Sequence, residues 1–153
     1  MITELLLASN NEHKRREFAR LFQGVTIRMP GDIGIDFDFA EDGDTFLANA
    51  HGKAAALHRR ARGPVIADDS GLCVASLGGE PGVFSARYGS DPGGALLEAP
   101  QRNAYLLQRM AGLAERSAYF VCCLVLYFSD DRFFVVQETV TGVIAAAPRG
   151  ANG

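Results

Sequence analysis

Hydrophobic and polar positions alternate along this chain with changing period. Residues 2–8 form a continuous apolar run around Leu5, Leu6 and Leu7, the pattern of a buried strand. Ser9, Asn10 and Asn11 interrupt it with turn and N-cap chemistry. A helix is predicted from there to about residue 23, with Phe18, Leu21 and Phe22 as its core face and Gly24 ending it. Residues 25–28 read as a short strand, and residues 29–40, with Pro30, Gly31 and Gly34, as a loop. Asp44 is positioned to cap a second helix reaching residue 62, which buries Phe46, Ala50, Ala54 and Leu57. Gly63-Pro64 stops it and starts a strand that closes on Asp68-Asp69. Residues 72–77 read as a further strand, hairpin-paired with the one before, and residues 78–82 as a loop. Residues 92–113 are predicted to be helical, with a break near Pro100. Residues 118–128 and 133–147 read as two strands joined by a turn, with a bend at Gly142. The sum is a mixed α/β protein, with 153 residues forming one domain.

Composition narrows the classes. Net charge is −3, and no basic-aromatic patch is present, so a nucleic-acid partner is not expected. No apolar run reaches the roughly 20 residues that span a bilayer, and the start of the chain lacks a basic-then-apolar order. A cytoplasmic protein without membrane association is expected. Cys73, Cys122 and Cys123 carry neither a CxxC nor a paired histidine motif, and read as reduced core thiols. His51 and His58 lie seven apart, too far for one ion, and read as surface helix residues. Of the 15 basic residues only Lys14 and Lys53 are lysines. A compact ammonium is thus reserved for two places.

Those two places are where candidate chemistry gathers. In Ser9-Asn10-Asn11-Glu12-His13-Lys14 a strand, a polar turn and a helix N-terminus form an anion site, with backbone N–H groups aimed at the ligand and Lys14 adding mobile charge. The glycines of a Walker A loop are missing. Thr45, Asn49 and Lys53, spaced by four, line one helix stripe, and Glu41 precedes that helix. Asp68 and Asp69, followed by Ser70, put two carboxylates together. Such a pair calls for a cation, and a hard divalent ion is the expected remedy. In Pro81-Gly82-Val83-Phe84-Ser85-Ala86-Arg87-Tyr88, Ser85 and Arg87 are expected to brace the loop rather than reach a ligand.

Four segments in order resemble the inosine/xanthosine triphosphate pyrophosphatase family, which clears non-standard purine nucleotides. They are Ala8-Ser9-Asn10-Asn11-Glu12-His13-Lys14 with Glu17; Asp44-Thr45-Phe46 with Asn49-Ala50 and Lys53-Ala54; Asp68-Asp69-Ser70-Gly71-Leu72; and the Pro81–Tyr88 segment. The resemblance implies an elongated, mixed α/β fold of the ITPase-like and Maf-like kind with a central cleft, in a cytoplasmic homodimer. It implies Mg2+-dependent hydrolysis of ITP, dITP and XTP to the monophosphate and pyrophosphate. It makes Asp69 the proton acceptor and a metal ligand, Asp68 its assistant and Glu41 a second acidic ligand. Ser9, Asn11, Lys14, Lys53 and Ser70 would hold the triphosphate. The family continues past its glycine-rich turn into a Phe-Gly-Tyr-Asp-Pro segment, a lysine and a Ser-His-Arg segment that help recognise the base. This sequence stops at Gly153, so a C-terminally incomplete domain is expected. Two alternatives stay open: a Maf-like pyrophosphatase with another base preference, and an inactive truncated nucleotide-binding module.

Overall fold

Leu5, Leu6 and Leu7 do form the heart of a strand, β1 (Glu4–Leu7), all three buried. A computed structural model of the chain describes residues 2–150. Asn11 then caps helix α1 (Glu12–Leu21): its Oδ1 accepts from the backbone N–H groups of His13 at 2.8 Å and Lys14 at 3.4 Å. The helix buries Phe18, but Leu21 is 71% exposed, so the expected core face is narrower than the spacing suggested. After β2 (Thr26–Arg28), the predicted loop contains one 3-10 turn at Pro30–Ile33.

Helix α2 (Phe46–Ala61) begins one residue later than expected. Its cap is Thr45, not Asp44, because the Thr45 hydroxyl reaches the Ala48 N–H at 3.0 Å from an extended backbone. The strand after it holds the main surprise. Residues expected to make two strands form one, β3 (Val65–Val74), and Ala75–Leu77 is a 3-10 turn. Asp68 and Asp69 therefore lie inside a strand rather than at its end. The predicted helix over residues 92–113 shortens to α3 (Ala99–Arg109), with Pro100 in its first turn. A proline there needs no N–H partner, so it starts the helix instead of breaking it. Strands β4 (Ser117–Ser129) and β5 (Arg132–Val143) follow.

The five strands form one sheet in the order β2-β1-β3-β4-β5. β1 runs parallel to both β2 and β3, with Leu6 opposite Val65 and Leu7 opposite Ile66. β4 and β5 are neighbours joined by two residues, which only an antiparallel hairpin allows. Every residue of β5 is exposed, including Phe134 and Val136.

The chain packs as two compact units. Among the described residues, one comprises 2–69 with Cys123–Gln137, the other Ser70–Cys122 with 138–150. The first has a core on each face of its sheet, divided by strand alternation. Leu5, Leu7 and Ile66 pack with Phe18 of α1. Leu6, Ala8, Val65 and Ala67 pack with Ala50, Ala54 and Leu57 of α2, and with Tyr127. His51 and His58 are half-buried rather than surface residues, because their rings rest on Tyr127 at centroid distances of 5.4 and 5.2 Å. The second unit builds its core from Val74, Leu106, Met110 and Ala118. None of the three cysteines is in a disulfide; Cys73 and Cys123 are buried and Cys122 is half-buried.

Candidate active site

The order β2-β1-β3 makes β1 a point where neighbours leave on opposite sides. In such sheets the crevice beyond the carboxyl ends of the strands is the natural ligand site. Here β1 stops at Leu7, whereas β3 continues past Ile66. Asp68 and Asp69 are the first polar residues on β3 beyond its pairing with β1. A cleft of about 210 Å3 is lined by Ser9, Asn11, Lys14, Glu41 and Lys53; Asp68 and Asp69 do not line it, and Asp68 meets its wall through Lys14.

Strand alternation then separates the two carboxylates. Asp68 has the parity of Ile66 and faces α1, while Asp69 has that of Val65 and Ala67 and faces α2. Their partners agree. Lys14 of α1 meets Asp68 Oδ2 at 2.7 Å. Asn49 of α2 donates from Nδ2 to Asp69 Oδ2 at 2.9 Å. The two aspartates are thus not a mutually repelling pair awaiting one shared cation: each is met from a different helix. One more turn along α2, the Lys53 ammonium donates to Glu41 Oε1.

These groups are deeply placed. Asn49, Lys53, Asp68 and Asp69 are 1%, 7%, 6% and 6% exposed, and are the buried polar side chains among the described residues. Buried charge is costly unless paired and hydrogen-bonded, and three of these four are charged. Asp68 Oδ1 is buried with no hydrogen-bond partner.

Asn49 is legible in the sequence as a member of the 45–49–53 stripe and of the second resembling segment, but with no site role given to it. Its amide orientation is set by its other end, where Oδ1 accepts from the Gly43 N–H at 2.8 Å. That leaves Nδ2 to hold Asp69. Gly43 has no room for a side chain, since a Cβ there would lie 2.7 Å from Asn49 Oδ1. Asn49 therefore ties the segment bearing Glu41 to the strand bearing Asp69.

The helix N-terminus differs from expectation. Asn11 N–H bonds the Ser9 hydroxyl at 3.1 Å, and the N–H groups of His13 and Lys14 are taken by Asn11 Oδ1. The cap satisfies the groups expected to face an anion, so the positive charge at this turn resides in the Lys14 ammonium. Ser70, half-buried, follows Asp69 on β3 and belongs to the second unit. In that unit Ser85 braces its loop as expected: it accepts from the Leu72 N–H at 2.9 Å and donates to the Gly82 carbonyl at 2.7 Å.

The donor set suits a hard cation. Glu41 and Asp69 both lie on the α2 side of the sheet, and Mg2+ is commonly held by one or two carboxylates with water and phosphate completing its shell. Among the described residues no group of three or more His, Cys, Asp or Glu side chains is placed to hold a metal ion.

Fold and cleft together define a class: a mixed α/β protein with paired carboxylates and lysines, Asp68, Asp69 and Lys53 buried among them, gathered where a parallel strand pair ends. Comparison places the chain within that class. A model described as the Ham1 family matches residues 5–153, and the chain belongs to this family. It is 46% identical over 150 residues to a dITP/XTP pyrophosphatase of Treponema denticola, covering 98% of this chain and 77% of that protein. It is 46% identical over 149 residues to a dITP/XTP pyrophosphatase of Treponema pallidum, covering 97% of this chain and 55% of that protein. Among solved structures, a HAM1 protein from Coxiella burnetii superposes with a TM-score of 0.87 at 33% identity, covering 100% of this chain and 78% of the other. The family match decides against the Maf-like alternative.

Proposed function

We propose that this chain hydrolyses non-standard purine nucleoside triphosphates (dITP, ITP and XTP) between the α- and β-phosphates, releasing the monophosphate and pyrophosphate. The observation that carries this reading is the cleft itself: Lys14 and Lys53, the only lysines of the chain, each paired with a carboxylate beside an Asp69 held by Asn49. The likeness to the dITP/XTP pyrophosphatases supplies the base class. We place the protein in the cytoplasm as a homodimer, as the resemblance implies; no helix among the described residues is long and apolar enough to cross a membrane.

In this reading Lys14, Lys53, Ser9, Asn11 and Ser70 hold the triphosphate. The lysines neutralise the charge that accumulates on phosphate oxygens during transfer. Asp69 receives the proton of the attacking water, whose oxygen bonds to the α-phosphorus as the bridging bond to the β-phosphate breaks. Asn49 keeps the Asp69 carboxylate oriented. Asp68 fixes Lys14. Glu41 and Asp69 would hold Mg2+, which when bound offsets phosphate charge and aligns the reacting oxygens.

The test is incubation with dITP and XTP, alongside dGTP, in the presence of Mg2+. Pyrophosphate release that favours dITP and XTP over dGTP supports the reading. Orthophosphate release overturns it. Binding of a non-hydrolysable dITP analogue without turnover assigns the chain to the inactive alternative.

A further inference from the structure

In this structure Lys53 and Glu41 are each other's partner, though the proposed reaction needs both for other tasks. Lys53 is almost wholly buried, and its ammonium donates to Glu41 Oε1. Both side chains line the same cleft. A buried ammonium requires an anion beside it, and Glu41 is that anion. A divalent cation approaching Glu41 therefore meets an ammonium already in place, and like charges a few ångströms apart in a poorly screened site repel strongly. A polyphosphate removes the conflict. It offers Lys53 several anionic oxygens, the ammonium turns to them, and the carboxylate is released.

We propose that Lys53 and Glu41 form an exchangeable pair that couples polyphosphate binding to divalent-cation binding. The cation alone is held weakly, the polyphosphate alone competes with Glu41 for Lys53, and the two together relieve both restraints. This rests on the reading of the cleft as a triphosphate site and adds its order of assembly. Coupling of this kind is reciprocal: whatever factor the polyphosphate contributes to cation affinity, the cation returns.

The pair makes two opposite-signed predictions that direct metal–phosphate contact does not. Lys53→Met, of similar length but uncharged, removes the ammonium from beside Glu41. Mn2+ alone, titrated by electron paramagnetic resonance, is then expected to bind roughly fivefold tighter than to the wild type, the worth of a partly buried ion pair. Glu41→Gln frees Lys53, and metal-free pyrophosphate, measured by calorimetry, is expected to bind tighter by a similar factor. Equal or weaker Mn2+ binding by a folded Lys53→Met protein overturns the proposal. If that variant does not fold, the Glu41→Gln titration decides: unchanged or weaker pyrophosphate binding overturns the proposal on its own. Orthophosphate release from dITP by the wild type would remove the proposed activity and leave these binding results standing, so the two failures are distinguishable.

Discussion

The two units hold cavities of opposite character. The cleft of the first encloses about 210 Å3 and is bordered by both lysines and Glu41. A cavity of the second encloses about 620 Å3 and is bordered by Phe84, Arg87, Tyr88, Leu96 and a run of glycine-rich backbone. Of the charged groups in the smaller cleft, Lys53 is buried, Lys14 and Glu41 are half-buried, and each lysine is matched to a carboxylate. Around the larger cavity they are half-exposed: Glu80 Oε2 accepts from Tyr88 at 3.0 Å and from Arg109 at 3.1 Å, and Arg87 lies over the Phe84 ring at 4.9 Å. Volume follows from how loops are draped and costs little. Desolvated charge costs free energy and persists where chemistry needs it. The smaller cleft is therefore the one we propose as the working site, and the larger cavity's polar contacts hold a loop against α3.

Asp69→Asn probes that contrast at its strongest point. It should lower kcat for dITP by about 10²- to 10⁴-fold, the range for loss of a general base, without lowering Tm. A variant with unaltered kcat would remove Asp69 from the chemistry. Asn49→Ala comes next. It strands the Gly43 N–H and releases Asp69, so stability should fall by about 1–3 kcal/mol in chemical denaturation. Turnover should fall at least roughly tenfold, as expected when a catalytic group loses its orientation. Gly43→Ala acts on the same amide from the other side, through a Cβ 2.7 Å from Asn49 Oδ1 and 3.0 Å from the Ala48 methyl. Its loss of turnover should share the direction of Asn49→Ala and be smaller, since the amide is displaced rather than removed.

Tyr88→Phe in the second unit should change least: unaltered kcat, and a stability loss of about 0.5 kcal/mol for one half-exposed hydrogen bond. If it lowered kcat as far as Asn49→Ala, the contrast between the units would fail. The same variant carries a pH signature. Burial, and then the hydrogen bond to Glu80, push the Tyr88 hydroxyl up to about 12 from an ordinary 10. The folded state therefore holds this proton more tightly than the unfolded chain. The stabilisation is complete below pH 10 and is lost as pH rises through about 12. The Tm difference between wild type and Tyr88→Phe should shrink across that interval.

Much of this protein is determined by local order in the chain. The apolar run of β1, the face of α2 and the antiparallel ribbon of β4 and β5 follow from hydrophobic period, which needs no partner to be read. The scarcity of lysine marked Lys14 and Lys53, and the motifs marked Glu41, Asp68 and Asp69 before any of them had a neighbour. Tertiary structure decided who meets whom. Because β1 ends at Leu7 while β3 runs on to Val74, the two aspartates lie mid-strand yet beyond the end of the neighbouring strand. Because strand residues alternate, adjacent carboxylates face different helices, one receiving Lys14 and the other Asn49. Because Asn11 spends its side chain as a cap, the helix end offers an ammonium rather than a row of backbone N–H groups. Period is a property of a segment. Partnership depends on where neighbouring strands stop and on which face of the sheet each side chain leaves, and both are settled only when the sheet is assembled.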